Sequence, residues 1–456
     1  MSAPLFREEQ SIVAWLDRIP STTETATERT TLQRDDDDDP QHQFQAQSKK
    51  RKHDSNHRLL SPPISLDNSE NMAQTPSRTP KKRKTDAVNS DADGNERTPR
   101  PQIPTLSGSD GRSFSSASQS QHSNQSSPSR LFPQLSISPE ARLERIPMDL
   151  RHPDLPRELA SLIVEMQGIG GGGQGIVPIG LKPTIDRLKQ ESLVNGDLYS
   201  QFYDYVYGPA DDLPSVKAGD GLLDNVIRTV DMAVDCDKTS QDETGWNHLV
   251  HTPLLDLVLD RLPRSLVGFV PCMNANIAAR WRIPGAPGAR VDYAMFINPD
   301  KDGDPGLHDA VEHLQQDTPD ATVNHTPFIP LSSRPIGISL ETKRQDGAGD
   351  KAVLQIGIWQ ASQWKLLSKR AGEAIEELSF IPGIVVEGHQ WKLVATTHKG
   401  GNTILWTSQV FGNTLSPFGT FQAMAGVRRL RRWMAEVYWP WYKRCVLKQE
   451  PQAAPC

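Results

Sequence analysis

The chain has 456 residues, enough for two or three domains, but only 36% are hydrophobic and it carries 36 prolines and 32 glycines. That composition excludes one uniformly packed globule and implies a disordered part. The formal net charge of −6 excludes a wholly basic, histone-like binder. The four cysteines, Cys236, Cys272, Cys445 and Cys456, stand far apart without a CxxC pair. They offer no basis for a disulfide framework or a zinc site, and a reducing compartment is the expectation. No leader pattern opens the chain, and no apolar run approaches the ~20 residues of a membrane span. The expectation is a soluble intracellular protein with no membrane partner.

Along the chain, residues 1–20 contain SIVAWLDRIP, in which Ile12, Trp15, Leu16 and Ile19 fall at helical spacing before Pro20. This reads as a short amphipathic helix, either a fraying terminus or a docking peptide. Residues 21–140 are rich in Ser, Thr, Gln, Asp and Pro, with an acidic run at Asp35–Asp39. Such a segment buries too little apolar surface to offset its conformational entropy and is expected to be a disordered arm. Two basic clusters interrupt it, Lys49, Lys50, Arg51 and Lys52, then Lys81, Lys82, Arg83 and Lys84. Compact Lys/Arg blocks in an extended arm suit a nuclear import receptor, which places the protein in the nucleus, or otherwise in the cytoplasm. The plainer reading is a solvated charge run or a non-specific nucleic-acid tether.

A folded domain is expected over 141–447, with a flexible tail at 448–456. LPRELASLIVEM reads as a helix and the run Gly168–Gly175 as a flexible linker, since it lacks the GxxxxGK[ST] pattern of a phosphate loop. Helical patterns follow in KPTIDRLKQESL and LLDNVIRTVDMAV. In ETGWNHLVHTPLLDLVLDRL, Trp246, Val250, Leu254, Leu257 and Val258 form one apolar stripe, which Pro253 should bend or divide. The period then shifts to two: SLVGFVPCM, ARVDYAMFIN and RPIGISLETKR read as strands. AVLQIGIWQASQWKLLSKR reads as a helix. IPGIVVEG, WKLVATTHK and TILWTSQVF read as strands, with KGGN at a hairpin turn. Ser416 is placed to cap a last long helix.

Chemistry concentrates on two of these strands. In Ile336–Lys343, side-chain alternation puts Ile336, Ile338, Leu340 and Thr342 on one face and Glu341 and Lys343 on the other. In the preceding strand, Asp292 faces away from Val291, Tyr293 and Met295. If the two strands pair, an Asp, a Glu and a Lys converge. Two carboxylates suit Mg²⁺ or Mn²⁺, hard ions that prefer oxygen. A lysine beside them can orient a water or stabilise developing negative charge, and is expected to serve chemistry and not folding. The ExK tripeptide alone equally fits an exposed ion pair.

RVDYAMFI, SLETKR and AVLQIGIW together resemble the PD-(D/E)XK nuclease superfamily. SIVAWLDRIP followed by the arm, and ETGWNHLVHTPLL, are similar to the fungal PD-(D/E)XK nuclease-like domain family. The resemblance implies an α/β, restriction-endonuclease-like fold: a mixed four-stranded sheet flanked by helices behind a disordered arm. It implies metal ligation by Asp292 and Glu341, with Lys343 catalytic. Glu243 matches the acid many members carry on the first helix. Gln355 resembles the glutamine of a Q-x-x-x-Y pattern, with Trp359 in place of the tyrosine. Val291 stands where the motif has proline, and 48 residues separate Asp292 from Glu341, which implies an inserted loop or short helix. The implied activity is Mg²⁺- or Mn²⁺-dependent nucleic-acid hydrolysis. The alternatives are a catalytically inactive domain that binds nucleic acid or protein, and a scaffold whose arm recruits partners. His248 and His251, at i, i+3 on one helix, could suit a metal but have no evident third ligand, and read as polar surface or supporting contacts. The aromatics of VYWPWYKR read as core, with base stacking the other possibility. Arg428, Arg429, Arg431 and Arg432 form the one dense basic patch of the folded part, which suits phosphate contact or a solvated helix face.

Overall fold

The computed structural model describes residues 127–449, apart from 192–195, 210–220, 260, 262–263 and 346–348. The expected helix at 1–20, the two basic clusters and the arm up to residue 126 lie outside the described residues, as does most of the tail.

Helix α1 (Pro128–Ser136) opens the described chain, inside the stretch expected to be disordered to residue 140. Leu131 and Leu135, one helical turn apart, are buried in the main core. Pro128 suits the first helical turn, where its missing N–H is not needed. Two leucines at i, i+4 were enough to dock a short helix that the Ser/Pro-rich window concealed. Strand β1 (Leu143–Pro147), a short charged segment unmarked by period-two alternation, follows.

Helix α2 (Arg157–Gly171) runs into the glycine stretch, so its first four glycine-run residues are helix and not linker. Packing explains the composition. A Cβ at Gly170 would lie 2.8 Å from the Val410 carbonyl oxygen, so glycine lets this helix lie directly on a strand. Gly173 and Gly175, both at φ +67°, then turn the chain. A small two-stranded parallel sheet, β2 (Val177–Pro178) with β3 (Tyr207–Gly208), brackets α3 (Lys182–Glu191). Helix α4 (Gly221–Lys238) follows.

The next helix is continuous but changes pitch. Helix α5 (Glu243–Trp246) passes through a π turn (Asn247–His251) into α6 (Thr252–Val258). Asp242 caps it, accepting from Gly245 N. Pro253 falls in the first turn after the widened segment, where its missing N–H costs least.

The main sheet has seven strands in the order β1-β9-β8-β7-β6-β5-β4, with β4 (Val267–Pro271), β5 (Tyr293–Ile297), β6 (Ile336–Lys343), β7 (Ile381–Glu387), β8 (Gln390–Lys399) and β9 (Asn402–Asn413). It is mixed: β1 and β9, and β6 and β7, run parallel, while the other neighbours are antiparallel. The sheet is larger than the four strands implied, because the β8–β9 hairpin continues past β7 and β1 adds an edge. Gly400 and Gly401, both at positive φ, make the tight turn of that hairpin. The insertion between β5 and β6 contains α7 (Leu307–Gln316). Helix α8 (Gly349–Ala371) packs on β6 to β9, and α9 (Pro417–Trp433), capped by Ser416, packs on β9 beside α2, α4 and α6. A second π turn leads into α10 (Trp439–Cys445), whose Trp439, Trp441 and Tyr442 are buried as core. Among the described residues no helix is long and apolar enough to cross a membrane.

Candidate active site

Pairing of β5 with β6 sets Tyr293 opposite Leu340. Asp292, one residue before β5, therefore falls beside Glu341 at the end of β6. Both side chains are buried, as is Lys343. The Lys343 ammonium donates to Glu341 Oε1 at 2.6 Å and to the Thr342 carbonyl at 2.7 Å, and lies 3.1 Å from Glu243 Oε2. Four of the five residues singled out in the sequence thus meet at one point: Glu243, Asp292, Glu341 and Lys343.

Gln355 is held differently. It lies in the first half of α8, its amide 3.5 Å from the Arg290 carbonyl. With Arg290, Asn276 and Lys351 it lines a neighbouring cleft of about 530 Å³. Trp359, one turn on, is completely buried with its ring edge-on to His325 at 4.4 Å.

Thr342 takes part although simple alternation puts it on the opposite face. Its backbone N–H and its hydroxyl both reach Asp292 Oδ2, each at 2.8 Å. The Asp292 backbone N–H donates to the Leu340 carbonyl at 3.0 Å, which sets its carboxylate against the next N–H on that side of β6. The Asp292 carboxylate occupies the next rung of the ladder, where a strand carbonyl would otherwise accept. Asn247, at the start of the π turn, lies 2.9 Å from the Thr342 hydroxyl and 3.0 Å from His251 Nδ1. Tyr293 reaches back across the same gap, donating to the Asn247 carbonyl at 3.1 Å and lying 2.8 Å from the Thr252 hydroxyl. Cys272, also buried, donates its backbone N–H to the Asp292 carbonyl at 2.7 Å. Of the two histidines, His248 is exposed and His251 is fully buried. Sequence reading passed over Thr342, Asn247 and Cys272. The signal for Asn247 was present: an amide on the apolar side of an otherwise hydrophobic stripe.

The site gathers three carboxyl groups, of Glu243, Asp292 and Glu341, around one ammonium. Burial raises the Asp292 carboxyl above the usual range, with the Lys343 charge and the Thr342 bonds opposing. Burial and the neighbouring Asp292 charge push Glu341 well up. Burial also opposes the Lys343 charge, but Glu341, Glu243 and Asp292 outweigh it and hold the ammonium at about 12. A pocket with more acid than base, in a desolvated place, suits an added cation. Among the described residues no group of three or more His, Cys, Asp or Glu is gathered to cage a metal. The donors present are two carboxylates and a strand carbonyl. They fit an ion such as Mg²⁺, which is held by one or two carboxylates and keeps several waters.

The arginine patch lies elsewhere. Arg428, Arg429 and Arg432 of α9 face Gly168, Gly172, Gly175 and Tyr205 across an open cleft of about 690 Å³. Arg428 donates to the Ile176 carbonyl at 3.1 Å, and Arg429 pairs with Glu165.

A mixed sheet flanked by helices, with an Asp, a Glu and a Lys at the mouth of two adjacent strands, defines a nuclease-like α/β domain. A sequence model described as PD-(D/E)XK nuclease superfamily matches residues 194–439, just over half of the 456 residues. The chain belongs to the PD-(D/E)XK nuclease superfamily. Searches of curated proteins and of solved structures return no match.

Proposed function

We propose that the chain hydrolyses nucleic-acid phosphodiesters with the help of Mg²⁺ or Mn²⁺. The observation that carries this reading is the meeting of Asp292, Glu341 and Lys343, with Glu243, at one buried and over-acidic point. Asp292 and Glu341, with the Thr342 carbonyl, would hold the metal. Once bound, the metal supplies Lewis-acid stabilisation of the phosphorane charge and a water of lowered pKa. The chain's own residues do the rest. Lys343 keeps its proton across the neutral range and presents a cation where charge develops on the phosphate oxygens. Thr342 fixes the Asp292 carboxylate in place, and Glu243 anchors the lysine. The arginine-lined cleft supplies backbone phosphate contacts, which position a strand without reading its sequence.

The decisive experiment is a cleavage assay on single- and double-stranded DNA and RNA with Mg²⁺ and with Mn²⁺, wild type beside Lys343→Ala. Metal-dependent cleavage that falls by about 10²-fold or more in the variant, at little-changed substrate binding, is the expected result. Full activity in Lys343→Ala would show the assignment to be wrong. One observation favours a second reading, a domain that binds nucleic acid or protein without turnover. The Lys343 ammonium already contacts Glu341 Oε1 and the Thr342 carbonyl, the oxygens a metal would need. No metal-dependent cleavage of any substrate by the wild type would decide for that reading.

A further inference from the structure

The Thr342 hydroxyl has one proton and two close partners, Asp292 Oδ2 at 2.8 Å and the Asn247 side-chain amide at 2.9 Å. Asp292 Oδ2 already accepts the Thr342 N–H at 2.8 Å, and the hydroxyl proton points to the same oxygen. The Asn247 atom facing Thr342 must then be the donor, its NH₂. The two ends of an asparagine amide are nearly isosteric, and the neighbours decide which way it points.

Two further contacts demand the same orientation. With the amide oxygen toward Thr342, the NH₂ group is buried without a partner. In that arrangement His251 also sits between two acceptors, the amide oxygen at 3.0 Å and the Gly388 carbonyl at 3.2 Å. Only an imidazolium could donate to both. His251 is completely buried, and desolvation holds its pKa down to about 4, so the ring is neutral. Turning the amide resolves each conflict. One N–H goes to His251 Nδ1 and the other to the Thr342 hydroxyl, and His251 Nε2–H donates to Gly388. What remains is one carbonyl oxygen without a donor in place of two stranded N–H groups, which is the lesser loss.

We propose that Asn247, held by His251, is a positioning residue that acts through Thr342 to direct the Asp292 carboxylate. The ordered chain runs from the Gly388 carbonyl through His251 and Asn247 to the Thr342 hydroxyl and on to Asp292 Oδ2. That oxygen receives two donors, Thr342 N–H and O–H. Asp292 Oδ1 is the oxygen turned to a cation. Outer groups of this kind fix a ligand's orientation and raise metal affinity without touching the metal. The π turn belongs to the device: by widening the helix at Asn247–His251 it sets both side chains toward the end of β6, and the Asn247 carbonyl accepts both the Thr252 N–H that closes the turn and the Tyr293 hydroxyl. The part concerning metal affinity rests on the function proposed above; the hydrogen-bond orientation does not.

The test has two arms on the full chain. In the first, ¹⁵N NMR of histidine-labelled protein at pH 7 reads the His251 tautomer without any metal, with His251→Gln identifying the signal. The proton on Nε2, with Nδ1 bare, is expected; the Nδ1–H tautomer overturns the proposal. In the second, calorimetry measures Mn²⁺ binding without substrate. Thr342→Val and Asn247→Asp should weaken Mn²⁺ by about 10- to 100-fold, whereas Thr342→Ser, which keeps the hydroxyl, should bind as the wild type does. Aspartate at 247 can only accept and would draw the Thr342 proton away from Asp292. Unchanged or tighter binding by Asn247→Asp, in protein of wild-type thermal midpoint, overturns the proposal. Wild-type chain that binds no Mn²⁺ yet shows the Nε2–H tautomer overturns the metal reading, and with it the positioning of a ligand, while the hydrogen-bond orientation stands.

Discussion

Lys343 donates to Glu341 and to the Thr342 carbonyl and sits beside Glu243, so it belongs to the folded structure as well as to any chemistry. The sequence alone suggested chemistry only. Replacing it by methionine keeps the stem but strands Glu341, whose burial leaves protonation as the ready escape. Breaking a buried pair costs about 3 kcal/mol or more when the remaining charge cannot neutralise; here the loss should be smaller and pH-dependent. A carboxyl whose folded pKa lies above its unfolded one loses stability as pH rises between the two values. The thermal midpoint of Lys343→Met, measured without metal, should therefore fall further below wild type at pH 8 than at pH 5. A constant gap would show that Glu341 does not feel the lysine. His325 gives the opposite slope. It is fully buried, neither ring nitrogen has a hydrogen-bond partner, and desolvation holds its pKa at about 3. The unfolded chain takes up that proton below pH 6.5 and the folded chain does not, so stability falls as pH drops through this window. One such histidine removes about 2 kcal/mol between pH 7 and pH 5. His325→Phe should flatten the midpoint-versus-pH curve over that range, and an unaltered curve would refute the account.

Helix α2 shows how one glycine run serves two purposes within a single element. A Cβ at Gly168 meets nothing within 4 Å, whereas one at Gly170 would press on the Val410 carbonyl at 2.8 Å and on Phe411 Cα at 3.3 Å. Alanine in an open helical position gains about 0.5–1 kcal/mol over glycine. Overpacking against backbone costs about 1–3 kcal/mol. Gly168→Ala should accordingly raise the midpoint in urea and Gly170→Ala should lower it. A shared sign for the two would mean that α2 does not rest on β9 as described. The same close approach recurs at α9, where a Cβ at Gly412 would fall 2.2 Å from Ala423 N, so this helix too lies on its strand through a glycine.

For the molecule as a whole, the folded domain holds the candidate site, while the two basic clusters stand in the N-terminal segment, outside the described residues. We propose that they direct nuclear entry through an import receptor. The motive is two compact Lys/Arg blocks within a polar, proline-rich stretch. Changing Lys49–Lys52 and Lys81–Lys84 together to alanine should leave a fluorescent fusion of the full chain in the cytoplasm. An unchanged nuclear signal would remove the import role and leave the clusters as solvated charge or as a nucleic-acid tether.

Strands β4 to β9, helix α8 and the capped helix α9 were legible because their signals are local. Period-two alternation, an N-cap serine and a KGGN turn each act within a few residues. The ExK spacing and the acid before β5 were legible for the same reason, since alternation on one strand dictates which side chains share a face. The edge strand β1 was not, because its partner is 260 residues away, Leu143 lying beside Thr403, and nothing in LERIP records that pairing. Helix α1 and the glycine run were misjudged because composition reports average behaviour, whereas docking depends on Leu131, Leu135 and a bare Gly170 meeting surfaces supplied from elsewhere. The support of Asp292 is the clearest case. Which residues could ligate was written in the sequence. That Thr342 and Asn247 would direct one of them depends on how the chain entering β5 meets β6 at Asp292 and on a π turn 95 residues before Thr342. Hydrogen-bond networks in a buried site are decided by where backbones end and how closely they pack, and those distances exist only once the chain has folded.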